Sequence, residues 1–130
     1  MHYDPTALPD AVLAFLAERH LATLSTLRPD GSIHVVPVGF TWDSANGIAR
    51  VITRSGSAKV RHLTRPDQRA TLSQVDGPRW LTLEGPARVT SDPALVEQAV
   101  RAYAARYRPP ANRMDRVAIE IRVDKVTGRC

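Results

Sequence analysis

Apolar residues recur along this chain first at helical spacing and then in alternation, and each change of period marks an element. Val12, Phe15 and Leu16 share one face of a helix predicted over Asp10–Glu18, with Asp10 as its cap. A strand follows over His20–Leu27. Arg28-Pro29-Asp30-Gly31 then supplies the residues of a tight turn, and Ile33–Trp42 reads as a second strand, so the two form a hairpin. Asp43–Gly47 is another turn, with Asn46-Gly47 as its hairpin signal, and Ile48–Thr53 is a third strand. Ser57–Leu63 returns to helical spacing, with Val60 and Leu63 inward, and Pro66-Asp67 ends it.

Strands are predicted again over Arg69–Val75 and Arg79–Val89, joined at Asp76-Gly77-Pro78. Gly85-Pro86 inside the second of them implies a bulge or a barrel corner. Asp92 caps a helix that has Pro93 at its first position and runs to about Tyr107, with Leu95, Val96, Ala99, Val100 and Tyr103 on its apolar face. After the loop Arg108–Asn112, Val117–Val126 alternates Val117, Ile119, Ile121 and Val123 inward against Glu120, Arg122 and Asp124 outward, as a half-buried strand does. Short strands with turns between them predict one mostly β (α+β) domain over residues 1–130, an antiparallel barrel rather than a parallel α/β sheet. Neither a repeat nor a linker interrupts it.

Composition narrows the chemistry. The chain has 130 residues, 43% of them hydrophobic and 24% charged, which suits a packed domain without staples. The single cysteine, Cys130, can form neither an internal disulfide nor a Cys-based metal site, so a reducing cytoplasm is expected. No stretch reaches membrane-spanning length, and no signal segment opens the chain. The net charge of +5 points to an anionic partner. Aromatic residues are only 5% and no basic cluster is interleaved with them, so a small anionic molecule is expected rather than nucleic acid.

Familiar catalytic arrangements are missing. The histidines at 2, 20, 34 and 62 have no metal-ligand spacing, so no metal is expected. No Gly-x-Ser-x-Gly and no Gly-x-Gly-x-x-Gly occurs, and Glu84, Glu97 and Glu120 are dispersed as surface or structural partners. No catalytic side chain is assigned; a bound cofactor carries any reaction.

Two segments suggest where it binds. Ser57-Ala58-Lys59 opens the short helix with cations, Arg54, Lys59 and Arg61, where the helix dipole disfavours them. A bound phosphate would resolve this, and a salt-screened exposed turn would also tolerate it. His34-Val-Val-Pro-Val-Gly-Phe40 places Pro37 within a strand, as a protected edge or as a surface that a flat ring can approach.

In order, these segments together with Arg50–Thr53, Ala70–Asp76 and Trp80–Gly85 resemble the pyridoxamine 5′-phosphate oxidase-like superfamily, from about Leu8 to Val126. The resemblance is stronger to its branch that uses the deazaflavin coenzyme F420. It implies a split β-barrel homodimer with cofactor clefts between subunits, and hydride transfer from reduced F420 to a conjugated substrate such as biliverdin, giving bilirubin. By the same resemblance Lys59, with Ser57 and Ala58, holds the cofactor phosphate. The ring lies against Val36-Pro37-Val38 and Ile52-Thr53. Trp80, from the same or the partner subunit, and Gln74 lie near the cofactor, with a core position as the alternative for Trp80. The many arginines suit the carboxylates of a tetrapyrrole and of a polyglutamate tail.

The chain lacks the Arg-rich C-terminal motif of the vitamin-synthesis oxidases, which argues against pyridoxamine phosphate as substrate. It also ends slightly earlier than the reductase branch. An FMN-binding oxidase or reductase of the same fold and a non-enzymatic cofactor or tetrapyrrole carrier are the alternatives.

Overall fold

The computed structural model describes residues 1–130. Nine strands and three helices follow in the order β1 (His2–Tyr3), α1 (Asp10–Ala17), β2 (Ala22–Leu27), β3 (Ile33–Val38), β4 (Phe40–Asp43), β5 (Ile48–Arg54), α2 (Ala58–Thr64), β6 (Arg69–Asp76), β7 (Arg79–Thr90), α3 (Pro93–Arg106), β8 (Arg116–Arg122) and β9 (Lys125–Arg129). All strand pairings are antiparallel, and the main path runs β3-β2-β6-β7-β8-β5-β4. Its two edges, β3 and β4, are consecutive in sequence. The sheet therefore wraps until its ends nearly meet, and the chain crosses the remaining gap at Gly39. This is the expected split β-barrel.

The core fills the wrapped sheet. Leu24, Phe40, Leu72, Leu81, Leu83, Ile119 and Ile121 are fully buried in it, and α1 contributes Val12, Phe15 and Leu16 from one face. The alternation of β2 and β6 places these residues inward, as the sequence pattern predicted.

Four local expectations are corrected. Asp10 is the first helical residue of α1, not its cap; Pro9 holds that position, and no side chain caps the helix. Ile33–Trp42 is two strands on opposite edges, because the gap falls at Gly39. Val117–Val126 is also two strands: β8 leaves at Arg122, and β9 starts at Lys125 beside β1 and the first half of β7. Finally, β8 is buried on both faces. Its inward residues are covered as expected, but Ala118 and Glu120 are also buried, because α3 packs on this strand and two arginines cover Glu120.

The Gly85-Pro86 corner is where β7 changes partners, from β9 at Trp80–Glu84 to β8 at Ala87–Thr90. Asp92 caps α3 as read, accepting a hydrogen bond from the Ala94 N–H at 3.0 Å.

Candidate cofactor cleft

The gap between β3 and β4 is held open by the end of α3. The Tyr107 hydroxyl accepts the Phe40 N–H at 3.1 Å and lies 2.9 Å from the carbonyl oxygens of both His20 and Phe40. Arg106 donates to the Phe40 carbonyl at 2.7 Å, the Glu18 carbonyl at 2.8 Å and Gln74 Oε1 at 2.6 Å. These bonds satisfy backbone groups that a continuous strand would have paired with its neighbour. At Gly39 an added Cβ would meet the rings of Tyr103 at 3.1 Å and Tyr107 at 3.2 Å, so the glycine lets two aromatic rings press on the main chain.

Beside this gap lies an open cleft of about 330 Å³. Pro37 and Val38 from the end of β3, Gly39 in the gap after it, and Ile52, Thr53 and Arg54 from β5 line it. Lys59 of α2, Tyr103 of α3, and Pro110, Arg113 and Arg116 around the start of β8 complete it. No carboxylate lines the cleft. Arg113 is held by Asp115 at 3.0 Å, but the side chains of Lys59, Arg54 and Arg116 make no hydrogen bond or ion pair within the chain. Lys59 is half-buried, and burial together with the Arg54 guanidinium pushes its ammonium below the usual lysine range. An anion at this point would reverse that strain. An apolar wall of Val38 and Ile52 beside three unpaired cations fits a flat ring system bearing a phosphate.

α2, which carries Lys59, is anchored from below. His62 is buried, and its Nδ1 lies 2.9 Å from Thr26 Oγ1 of β2. Its ring meets His34 edge-on, with centroids 5.0 Å apart. Burial, then His34 and the nearby Arg28, Arg65 and Arg61, push the His62 imidazolium below the usual histidine range. Ser57 stands at the cap position of α2, but its hydroxyl accepts from Thr53 Oγ1 at 3.3 Å and makes no capping bond.

Of the residues proposed from sequence, Pro37, Val38, Ile52, Thr53 and Lys59 are brought together in this cleft. Ser57 adjoins it through Thr53, and Ala58 is the first residue of α2. Val36 is half-buried and packs against the core. Gln74 is fully buried elsewhere: its amide donates to the Phe15 carbonyl at 3.0 Å and accepts from Arg106. Trp80 lines a different concavity, with Met1, Tyr3, Gly128, Arg129 and Cys130. Arg61 turns back to the Gly56 carbonyl at 2.9 Å. Tyr103, Arg113 and Arg116 were not singled out as site residues. Tyr103 sat on the apolar face of a helix, and nothing in the loop sequence shows that it folds back to β5.

Glu18, His20 and Asp76 bring possible ligand atoms within 4.8 Å of one another on the surface. Arg79 already bonds both carboxylates, so the group is occupied by a cation of the chain itself.

The chain matches the pyridoxamine 5′-phosphate oxidase family over residues 8–130. It belongs to that family. The F420H(2)-dependent biliverdin reductase of Mycobacterium tuberculosis is 54% identical to it over 123 residues, which cover 95% of this chain and 89% of the relative. Among solved structures, an F420 reductase superposes with a TM-score of 0.72 at 25% identity, over 92% of this chain and 98% of that one. A conserved hypothetical protein of M. tuberculosis superposes with a TM-score of 0.78 at 21% identity, over 98% and 88% of the two chains, a likeness of fold. No helix is long and apolar enough to cross a membrane.

Proposed function

We propose that this chain is an F420H2-dependent oxidoreductase that reduces biliverdin to bilirubin. The observation that carries the reading is the 54% identity to a reductase of that activity over 95% of the chain. The cleft supplies independent support, with three unpaired cations beside an apolar wall. Reduced F420, when bound, would supply a hydride from its deazaflavin ring, and water would supply the proton that completes the two-electron reduction of biliverdin. Lys59, aided by Arg54 and Arg116, would hold the phosphate, while Pro37, Val38, Ile52 and Thr53 would fix the position of the ring. No side chain has to act as nucleophile or acid; the chain contributes orientation, which is worth up to roughly 10 kcal/mol in well-arranged cases.

Lys59→Ala tests this most directly. Its affinity for F420 should fall by about 1.5–3 kcal/mol, the scale of a charge-assisted hydrogen bond. The cofactor-free protein should keep its stability or gain slightly, because the repulsion between Arg54 and Lys59 is relieved. Titration of wild type and variant with F420 and with FMN, followed by turnover of biliverdin, provides the measurement. Unchanged F420 affinity in the variant removes Lys59 from the site, and tighter binding of FMN than of F420 overturns the cofactor assignment.

The working form in this proposal is a cytoplasmic homodimer. The outward face of β3, β2 and β6 exposes Leu21, Leu27, Ile33, Val35 and Val75, and Val35 is 54% exposed. Trp80, paired with Val75 across β6 and β7, stands on the same face and is also exposed. A second copy would cover this surface and the unpaired edge of β3, and would bring another chain's face up to Pro37. Val35→Lys should therefore yield a monomer by sedimentation with weakened F420 binding. A wild-type monomer at micromolar concentration with full cofactor affinity would overturn the dimer.

A further inference from the structure

We propose that the concavity lined by Arg19, His20, Leu21, Tyr103, Tyr107 and Arg108 is a carboxylate subsite for the acidic arms of the substrate, adjoining the cofactor cleft at Tyr103; this rests on the reductase reading above. Tyr103 lines both spaces, so one phenol ring forms the wall between them. The second concavity holds about 430 Å³, room for the propionate arm of a tetrapyrrole whose conjugated system reaches the cleft.

Its charge is one-sided. No carboxylate lines it. Arg108 is exposed and has no hydrogen bond or ion pair within the chain. Arg19 donates one N–H to the Tyr107 carbonyl at 2.7 Å and meets no carboxylate, which leaves most of its five donors free. His20 adds nothing to this count, because its Nε2 lies 2.8 Å from Glu18 Oε1. Elsewhere the chain pairs many of its arginines with acids: Arg50, Arg69, Arg79, Arg88, Arg101 and Arg113 all have such partners. Arg19 and Arg108 have no such partner and stand around one hollow next to the cleft, and a guanidinium matches a carboxylate with two parallel N–H donors.

The hollow is also preorganised. Tyr107 is fixed through its hydroxyl to the Phe40 N–H, and its carbonyl fixes Arg19. Tyr103 and Tyr107 lie with ring centroids 4.8 Å apart, offering aromatic surface to a conjugated ring.

Binding without turnover separates this subsite from the reductase reading. Biliverdin and its dimethyl ester are titrated by absorbance into wild type and Arg108→Gln, chosen because Arg108 carries no bond of the fold. Wild type should bind the diacid about tenfold more tightly than the diester, and the preference should shrink with added salt. In Arg108→Gln the diacid should weaken five- to tenfold, while the diester and F420 bind as before. Equal changes for both ligands, no change for either, no preference in wild type, or no biliverdin binding at all would each overturn the subsite. Failure of F420 binding or of turnover overturns the reductase reading alone, since the diacid–diester comparison needs neither.

Discussion

Gly85→Ala should destabilise the protein by about 3 kcal/mol or more, at or beyond the upper end for overpacking. The added carbon would lie 2.0 Å from the Arg122 carbonyl oxygen, 2.8 Å from its carbon and 3.1 Å from the Val123 Cα. All three are main-chain atoms at the turn from β8 into β9, so no side-chain rotation relieves the clash. β7 runs past this turn where it changes partners, and moving the turn would break the Asp124 N–H bond to the Glu84 carbonyl at 3.0 Å. For a chain of 130 residues the melting temperature should fall by on the order of 10 °C or more. Gly56→Ala serves as control, because its added carbon would meet only Arg54 Nη1 at 3.5 Å. Equal melting temperatures for the two variants would show that the corner yields.

Glu120→Gln should cost about 3 kcal/mol, the lower end for breaking a buried ion pair by removing one partner. Arg50, Glu120 and Arg88 stand in register across β5, β8 and β7. Glu120, only 3% exposed, accepts from Arg50 Nε at 3.0 Å and Arg88 Nη2 at 2.6 Å. Glutamine has one acceptor oxygen for two guanidinium groups and would turn its NH2 toward the other. Arg50 retains Asp43 at 2.8 Å, which limits the loss. Burial alone would raise the Glu120 carboxyl, but the hydrogen bonds from Arg88 and Arg50 outweigh it and hold the group below the usual carboxylate range. A lowered carboxylate stabilises the fold above its unfolded value of about 4.3 and loses that contribution as pH falls through the folded value. The stability gap between wild type and variant should therefore be full at pH 7 and shrink below about pH 4. A gap independent of pH would assign the loss to packing instead of charge.

The periodicity of apolar residues was enough to place every helix and most strands, because inward alternation and helical spacing are local signals. The breaks were not local. Nothing in Ile33–Trp42 says that residues on either side of Gly39 belong to opposite edges of the barrel; that follows from Tyr103 and Tyr107, more than sixty positions on, pressing against the glycine. β1 has two residues and β9 is largely polar, so neither carries a pattern. In the cleft, Lys59 was legible because a cation after Ser57-Ala58 contradicts the helix dipole. Arg113 in the loop and Arg116 at the first position of β8 were not, since arginines in loops and at strand ends are ordinarily solvated. Gln74 illustrates the converse: a polar residue on a strand reads as a ligand contact or as surface, and only the positions of Phe15 and Arg106 reveal it as a core amide.

The partner change of β7 also bears on how the chain reaches its fold. β8 provides the second neighbour of β5, and β9 covers the first half of β7. Both come from the last fifteen residues, 116–130. During synthesis from the N-terminus, β5 and β7 therefore emerge well before the strands that complete them, and their exposed edges wait for closures that span about half of the chain for β5 and about a third for β7. The barrel closes late, after the final strands leave the ribosome, and the nascent chain is most vulnerable to edge-to-edge association in that interval.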